Sequence, residues 1–237
     1  MEVYHSQEEY LADLTARAAL PAGFHTAVTS LHFFPPEIGG EKSYPMNLSL
    51  LLADRPTDSF HALFTRNSFC GAPVTIGRQR LREKTCRGVI VNNKISNVAT
   101  ADGGADAETV CTALAESLGD RPTHFFPAST GIIGWKIPVT EMCQAVPDLC
   151  SRLGNGPLVD VAKAIMTTDS FPKVRSRVLG DGRITAVAKG AGMIEPNLAT
   201  MLVFVLTDID VSRSFLAEAL SRAADETCLL YTSPSPR

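Results

Sequence analysis

The stretch GMIEPNLATMLVFVLTD (192–208) sets a threonine, Thr200, between a turn and an apolar run. Glycines at 190 and 192 open backbone conformations closed to other residues, and Pro196 followed by Asn197 favours a turn. The chain can bend sharply just before Thr200. The run after it, 201–206, reads as a buried strand that would hold Thr200 rigidly near a cleft. A threonine hydroxyl alone is a poor nucleophile and needs a base beside it. One compact base is the residue's own α-amino group, with a reference pKa of about 7.7–8.0. That chemistry requires the bond between Ala199 and Thr200 to be cut. The hydroxyl would attack the Ala199 carbonyl, and the ester so formed would hydrolyse. The methyl side chain of Ala199 leaves room for the attack, and a strained turn would assist it. The competing reading is plain packing, because a β-branched residue opens a strand well without doing any chemistry.

Other chemistry is sparser. The cysteines are Cys70, Cys86, Cys111, Cys143, Cys150 and Cys228, and none forms a C-x-x-C pair, which argues against a zinc cluster. Cys111 and Cys143 fall on apolar faces of expected helices and read as buried free thiols. The net charge is −3 and there is no Lys/Arg block, so nothing argues for nucleic acid. No apolar run approaches the roughly 18 residues that span a bilayer. Small molecules or other subunits are the expected partners. The N-terminus, MEVYHSQEEYLADL, lacks the layout of a secretory signal or a transit peptide. A cytoplasmic location is therefore expected, or the mitochondrial matrix for a fungal or other eukaryotic source.

The elements that must position these residues can be read from periodicity and turn chemistry. A chain of 237 residues with 45% hydrophobic composition suits one large domain or two small ones. Ser6 with Glu9 three residues on makes a capping box, and Leu11, Leu14 and Ala18 then share a helical face. Short strands are expected at 48–54, 61–65, 73–77 and 88–93. ADGGADAETVCTALAESLG reads as a loop and then a helix, with Val110, Cys111, Leu114 and Leu118 inward and Gly119 closing it. THFFPASTGIIG is a strand running into a glycine turn. VTEMCQAVPDLCSRLG is helical but broken or restarted at Pro147. PLVDVAKAIMTTD is a further helix, ending at Thr-Thr-Asp. RSRVLGDGRITAVAKG is a hairpin that turns at Asp181 and Gly182. A last helix starts near Ser212, with Phe215, Leu216, Leu220 and Ala223 on one side. Helices and strands are mixed, and several strand neighbours are joined by short turns. That favours an α/β fold of α+β layers over a strict doubly wound sheet. The tail CLLYTSPSPR (228–237) carries no helical or strand period and is expected to be foreign to the fold.

The segment AKGAGMIEPNLATMLVFVLTD closely resembles the signature of the ornithine acetyltransferases, also called glutamate N-acetyltransferases. Those proteins cut themselves before the Thr of an Ala-Thr-Met-Leu sequence, and the freed Thr carries the acetyl group. LPAGFHTAV, ALFTRNSFCGAPV, FPASTGIIG and KAIMTTDSFPK resemble further segments of the family in the same order, covering roughly residues 17 to 226. The resemblance implies a sandwich of mixed sheets flanked by helices. It implies Thr200 as nucleophile, the bond between Ala199 and Thr200 as the cleavage site, and Thr130 with Gly131 as the oxyanion hole. Thr167, Lys189 and Thr200 match positions that bind the substrate amino acid. Read without the resemblance, STG is an ordinary turn and Lys189 a solvated lysine at a hairpin end.

The implied reaction moves acetyl from N-acetylornithine to glutamate through an acetyl-Thr intermediate, an arginine-biosynthesis step. It needs no metal or redox cofactor, although some members also accept acetyl-CoA. The family suggests an assembly of two copies of each cleaved chain. It implies three regions: 1–199 as the first chain, 200–227 as the start of the second, and 228–237 as a non-native tail. Two departures stand out. The family carries Asn-Ser-Gly-Asn-Ala-Asn-Ala where this chain reads NNKISNVATA (92–101), so Lys94 and Ile95 replace small residues. The family's second chain also continues much further than residues 200–237. Its acidic catalytic residue and C-terminal substrate residues find no counterpart here, so a C-terminal truncation is expected. The alternatives are an amidohydrolase or aminopeptidase of similar self-cleaving architecture, or an inactive fragment that serves as an interaction subunit.

Overall fold

Leu48, Leu50 and Leu52 point to one side of strand β2 (Tyr44–Thr57) and Leu51 to the other, and all four are buried. A strand buried on both faces must lie between two apolar layers, which is why its sequence runs LSLLLA rather than alternating. The computed structural model describes residues 3–154, 156–190 and 200–228. The expected turn at 191–199, with Ala199 itself, and residues 229–237 of the tail lie outside the described residues.

β2 sits inside a four-stranded sheet of order β1-β2-β3-β4, with β1 at Phe24–Phe33, β3 at Cys86–Asn92 and β4 at Phe125–Ser129. β1, β2 and β3 are antiparallel, and β4 joins β3 in parallel. Parallel neighbours need a crossover, here supplied by helix α3 (Gly103–Leu118). α3 and helix α4 (Val139–Ser151) cover one face, where Val110, Leu114, Met142, Val146 and Leu149 meet Leu48, Leu50 and Leu52. Helices α1 (Gln7–Arg17) and α5 (Val159–Ala164) cover the other face, with Leu14, Val159 and Val161 against Leu51 and Val91. The same layer receives a second, antiparallel sheet of β5 (Lys173–Leu179), β6 (Gly182–Lys189) and β7 (Leu202–Thr207). The molecule is therefore a layered α/β sandwich of two sheets with helices, as expected.

Several local expectations hold. Ser6 caps α1 by accepting the Glu9 N–H at 3.0 Å. Glu9 reaches back to the His5 N–H at 2.8 Å, one residue earlier than in a standard box. Cys70, Cys86, Cys111, Cys143 and Cys150 are free thiols, and burial pushes Cys111 up to about 12.

Others need correction. Residues 73–77 are not a strand but lie within helix α2 (Ala72–Arg80). Pro73 fits the first turn, where no N–H partner is needed, and Ile76 and Arg80 share a buried face. Residues 61–65 are not a strand either, because β2 already has a ladder partner on each side. The segment instead approaches α2, with the Phe64 ring where a side chain on Gly77 would sit, 2.4 Å from an added Cβ. Pro147 does not break α4, and the helix runs through it. The lost hydrogen bond and ring clash cost about 3 kcal/mol. Burying Met142, Val146 and Leu149 returns about 1.5–3 kcal/mol each, and the exposed Pro147 turns the unserved carbonyl side toward water. The hairpin loop is Gly180 and Asp181, one residue earlier than expected, with Leu179 paired to Gly182. β7 is half-buried: Leu202, Phe204 and Leu206 pack inward while Val203 and Val205 are 39% and 48% exposed. Finally, α6 (Arg213–Ala223), capped by Ser212, buries none of its residues, Phe215 included.

Candidate active site

β3 and β4 run parallel, so both deliver their C-terminal ends to one place. The ends are Asn92 and Ser129, which pair directly. The Ser129 hydroxyl donates to Asn92 Oδ1 at 2.6 Å, and the Thr130 N–H donates to the Asn92 carbonyl at 3.1 Å. Asn92 Nδ2 donates in turn to the Ile95 carbonyl at 2.8 Å. The Ser-Thr-Gly turn after β4 is thereby clamped to the loop after β3. The Ile132 N–H donates to the Lys94 carbonyl at 2.8 Å, and Ser96 donates to the Ile132 carbonyl through both N–H (2.9 Å) and hydroxyl (2.8 Å). This lacing uses the N–H groups on either side of Gly131 and leaves that of Gly131 out.

Gly131 has φ +135°, and a Cβ there would lie 2.1 Å from the Lys94 carbonyl carbon. Only glycine fits. The facing loop holds three non-glycine residues in the left-handed region: Lys94 at φ +74°, Asn97 at +54° and Ala99 at +61°. Such residues cost of order 1–3 kcal/mol each and cluster where the surroundings over-determine them. The loop in which Lys94 and Ile95 replace small residues is therefore the wall against which the Ser-Thr-Gly turn is built. Thr130 is 1% exposed, and its hydroxyl makes no hydrogen bond among the described residues. Buried hydroxyls are satisfied in the large majority of cases, so this one calls for a partner beyond the described residues.

Asn93, the next residue, ties this corner to the second layer. Its Oδ1 accepts the Asn47 N–H at 2.8 Å, and its Nδ2 donates to the Met166 carbonyl at 3.2 Å. That fixes the exit of α5, where Thr167 is exposed and its N–H points to Asp169 Oδ2 at 3.4 Å. Lys189, at the end of β6, is buried rather than solvated, with its Nζ 3.9 Å from the same Oδ2. Asp169 Oδ1 accepts Lys173 Nζ at 2.9 Å and the Gly190 N–H at 2.8 Å. Burial pushes the Asp169 carboxyl up, but the Lys173 bond, the Gly190 N–H and the two ammonium charges outweigh it and hold it below its ordinary value. Burial lowers the Lys189 ammonium below its usual range; Asp169 opposes this and Lys173 adds to it.

Thr200 is partly exposed and lies two residues before β7. Lys189 pairs with Leu202 across the β6–β7 ladder, so the register puts Thr200 at the Lys189 end of the second sheet. Thr130 and Gly131 thus share one hydrogen-bonded corner that Asn93 joins to Thr167, while Thr167 and Lys189 meet on Asp169. Thr200 makes no hydrogen bond to any of them among the described residues, and Ala199 lies outside those residues. A cavity of about 620 Å³ flanks the other side of the strained loop, against Phe69, Cys70, Asn97 and Thr100, and none of the five described site residues lines it.

The sequence reading missed Asn92, Asn93, Asp169 and Lys173. Two amides closing an apolar strand are the signal that could have exposed the first two.

The sequence profile of the ArgJ family matches residues 37–229. The arginine biosynthesis bifunctional protein ArgJ of Geobacter sulfurreducens is 37% identical over 203 residues, which are 84% of this chain and 51% of that protein. The Methylococcus capsulatus protein of the same name is 41% identical over 171 residues, 70% of this chain and 42% of its own length. The chain spans about half the length of the curated relatives it matches. Among solved structures, ornithine acetyltransferase of Mycobacterium tuberculosis complexed with ornithine superposes with a TM-score of 0.59 at 25% identity, covering 78% of this chain and 96% of that one. ArgJ of Bacillus halodurans shares the fold, with a TM-score of 0.58, 21% identity, and coverage of 80% and 94%.

Proposed function

Since this chain belongs to the ArgJ family, we propose that it serves the transfer of acetyl from N-acetylornithine to glutamate, with Thr200 as the acceptor of the acetyl group. The observation that carries this reading is the Thr130 hydroxyl, buried without a partner among the described residues beside a glycine that nothing else could replace. A preorganised donor with no ground-state acceptor is what a developing oxyanion requires.

The activation step comes first. The Thr200 hydroxyl attacks the Ala199 carbonyl carbon, the C–N bond breaks, and the acyl group moves to oxygen. Water then hydrolyses the ester, leaving a carboxylate on Ala199 and a free α-amino group on Thr200. In the transfer, that amine takes the hydroxyl proton as the oxygen attacks the acetyl carbonyl of N-acetylornithine, and the proton leaves on the amine of ornithine. The glutamate amine then attacks the acetyl-Thr ester and restores the hydroxyl. Thr130 and the Gly131 N–H would hold the oxyanion in each step. Lys189 would take the substrate carboxylate, with Thr167 beside it. As written, the reaction uses no metal or redox cofactor. Acetyl-CoA as a second donor, an assembly of two copies of each cleaved chain, and a cytoplasmic setting belong to the same proposal.

Intact-mass measurement tests it. The purified chain should separate into two pieces at Ala199 and Thr200, and Thr200→Ala should remain whole. Unchanged cutting in Thr200→Ala would remove Thr200 from the mechanism.

A further inference from the structure

One carboxylate serves four groups from three parts of the chain. Asp169 takes the Thr167 N–H from the loop after α5, Lys173 from β5, and both Lys189 and the Gly190 N–H from the end of β6. Its own side chain is 1% exposed. Two ammonium groups share this single negative charge, and they share it unequally. Lys173 holds the close contact at 2.9 Å, while Lys189 stands off at 3.9 Å and is itself almost wholly buried. A buried cation so incompletely paired has capacity for a second anion. Gly190, with φ +139°, is the last described residue before the 191–199 segment, and its N–H is pinned by the same carboxylate.

We propose that Asp169 is a positioning residue: it holds the Lys189 ammonium half-paired for the carboxylate of an amino-acid substrate, and it fixes Gly190, from which the segment leading to Thr200 departs. The substrate half of this inference rests on the acyltransfer reading above. Among the described residues, the charged groups that face Lys189 are Asp169 and Lys173, so the two make opposite predictions. Removing the carboxylate takes away the one contact that favours the charged form of Lys189. Removing Lys173 takes away the competitor for that carboxylate.

The test uses the full 237-residue chain with isotope-labelled lysine, followed by NMR against pH, with the Lys189 signal assigned by its loss in Lys189→Met. In Asp169→Asn the Lys189 midpoint should move to lower pH, and Asp169→Glu should restore most of the shift. In Lys173→Met, a substitution at a largely surface ammonium, it should move to higher pH; this variant keeps the test open where Asp169→Asn fails to fold. N-acetylornithine binding, read by calorimetry, should weaken about tenfold at pH 9 in Asp169→Asn and much less at pH 7. An unchanged Lys189 midpoint in the folded variants overturns the proposal. So does a uniform loss of binding across the pH range, which a merely structural role would give. A wild type that binds no N-acetylornithine while the midpoints move as stated overturns the acyltransfer reading and the substrate half with it, and upholds the pairing of Asp169 with Lys189.

Discussion

At Thr130 the proposed activity and stability would pull in opposite directions. Its hydroxyl is buried with no partner among the described residues, which leaves them a desolvation cost of about 1–3 kcal/mol without return. Thr130→Val keeps the shape and removes the polar atom. Chemical denaturation should find the variant as stable as the wild type or up to about 1 kcal/mol more stable. The rate of self-cutting should fall about 10²–10³-fold. A variant that is destabilised yet cuts at the normal rate would make the hydroxyl a structural group. Thr130 and Gly131 could be found in the sequence only through the resemblance of FPASTGIIG to the family segment, since Ser-Thr-Gly read alone is an ordinary turn. Asp169 could not. Its four partners come from different elements, Gly190 lying 21 residues away, and no local pattern announces a carboxylate shared by two lysines. The strain at Lys94, Asn97 and Ala99 was equally hidden, because left-handed backbone at non-glycine residues is imposed by packing and leaves no compositional mark.

Helices and strands were legible wherever amphipathic period and capping agreed. α1 carries both, α3 has its apolar face closed by Gly119, and β2 and β3 are apolar runs bounded by turn residues; their positions came out within a few residues. The errors arose where a short β-rich run could serve either structure. PVTIG contains three β-branched residues and a glycine, yet the proline sits at a helix start and the face of Ile76 and Arg80 is what the core accepts. Pro147 misled in the other direction, since propensity ended a helix that burial continues. Pro147→Ala should restore the bond to the Cys143 carbonyl and raise stability by about 2 kcal/mol, read as a shift in the urea midpoint at constant slope. A loss of stability would mean that the bend at Pro147 is needed for α4 to lie on the sheet.

Taken as a whole, the molecule has an unequal finish. The first sheet is covered on both faces, but among the described residues β7 is an edge strand whose Val203 and Val205 face solvent, and no residue of α6 is fully buried. An apolar edge with unpaired backbone groups is a template for self-association. Val205→Lys should slow concentration-dependent growth of light scattering severalfold while changing stability by no more than about 0.5 kcal/mol; scattering that grows at the wild-type rate would exonerate the edge. The β6–β7 ladder has a further consequence. Six residue pairs, from Ile184 with Thr207 to Lys189 with Leu202, hold β7 in the second sheet. While 191–199 connects the two strands, the tether gives β7 an effective local concentration in the millimolar range, and the ladder closes as an intramolecular event. Should the bond before Thr200 be cut as proposed, the same six pairs would become an interface between separate molecules. The second sheet would then obey mass action, and its persistence would depend on how dilute the protein is.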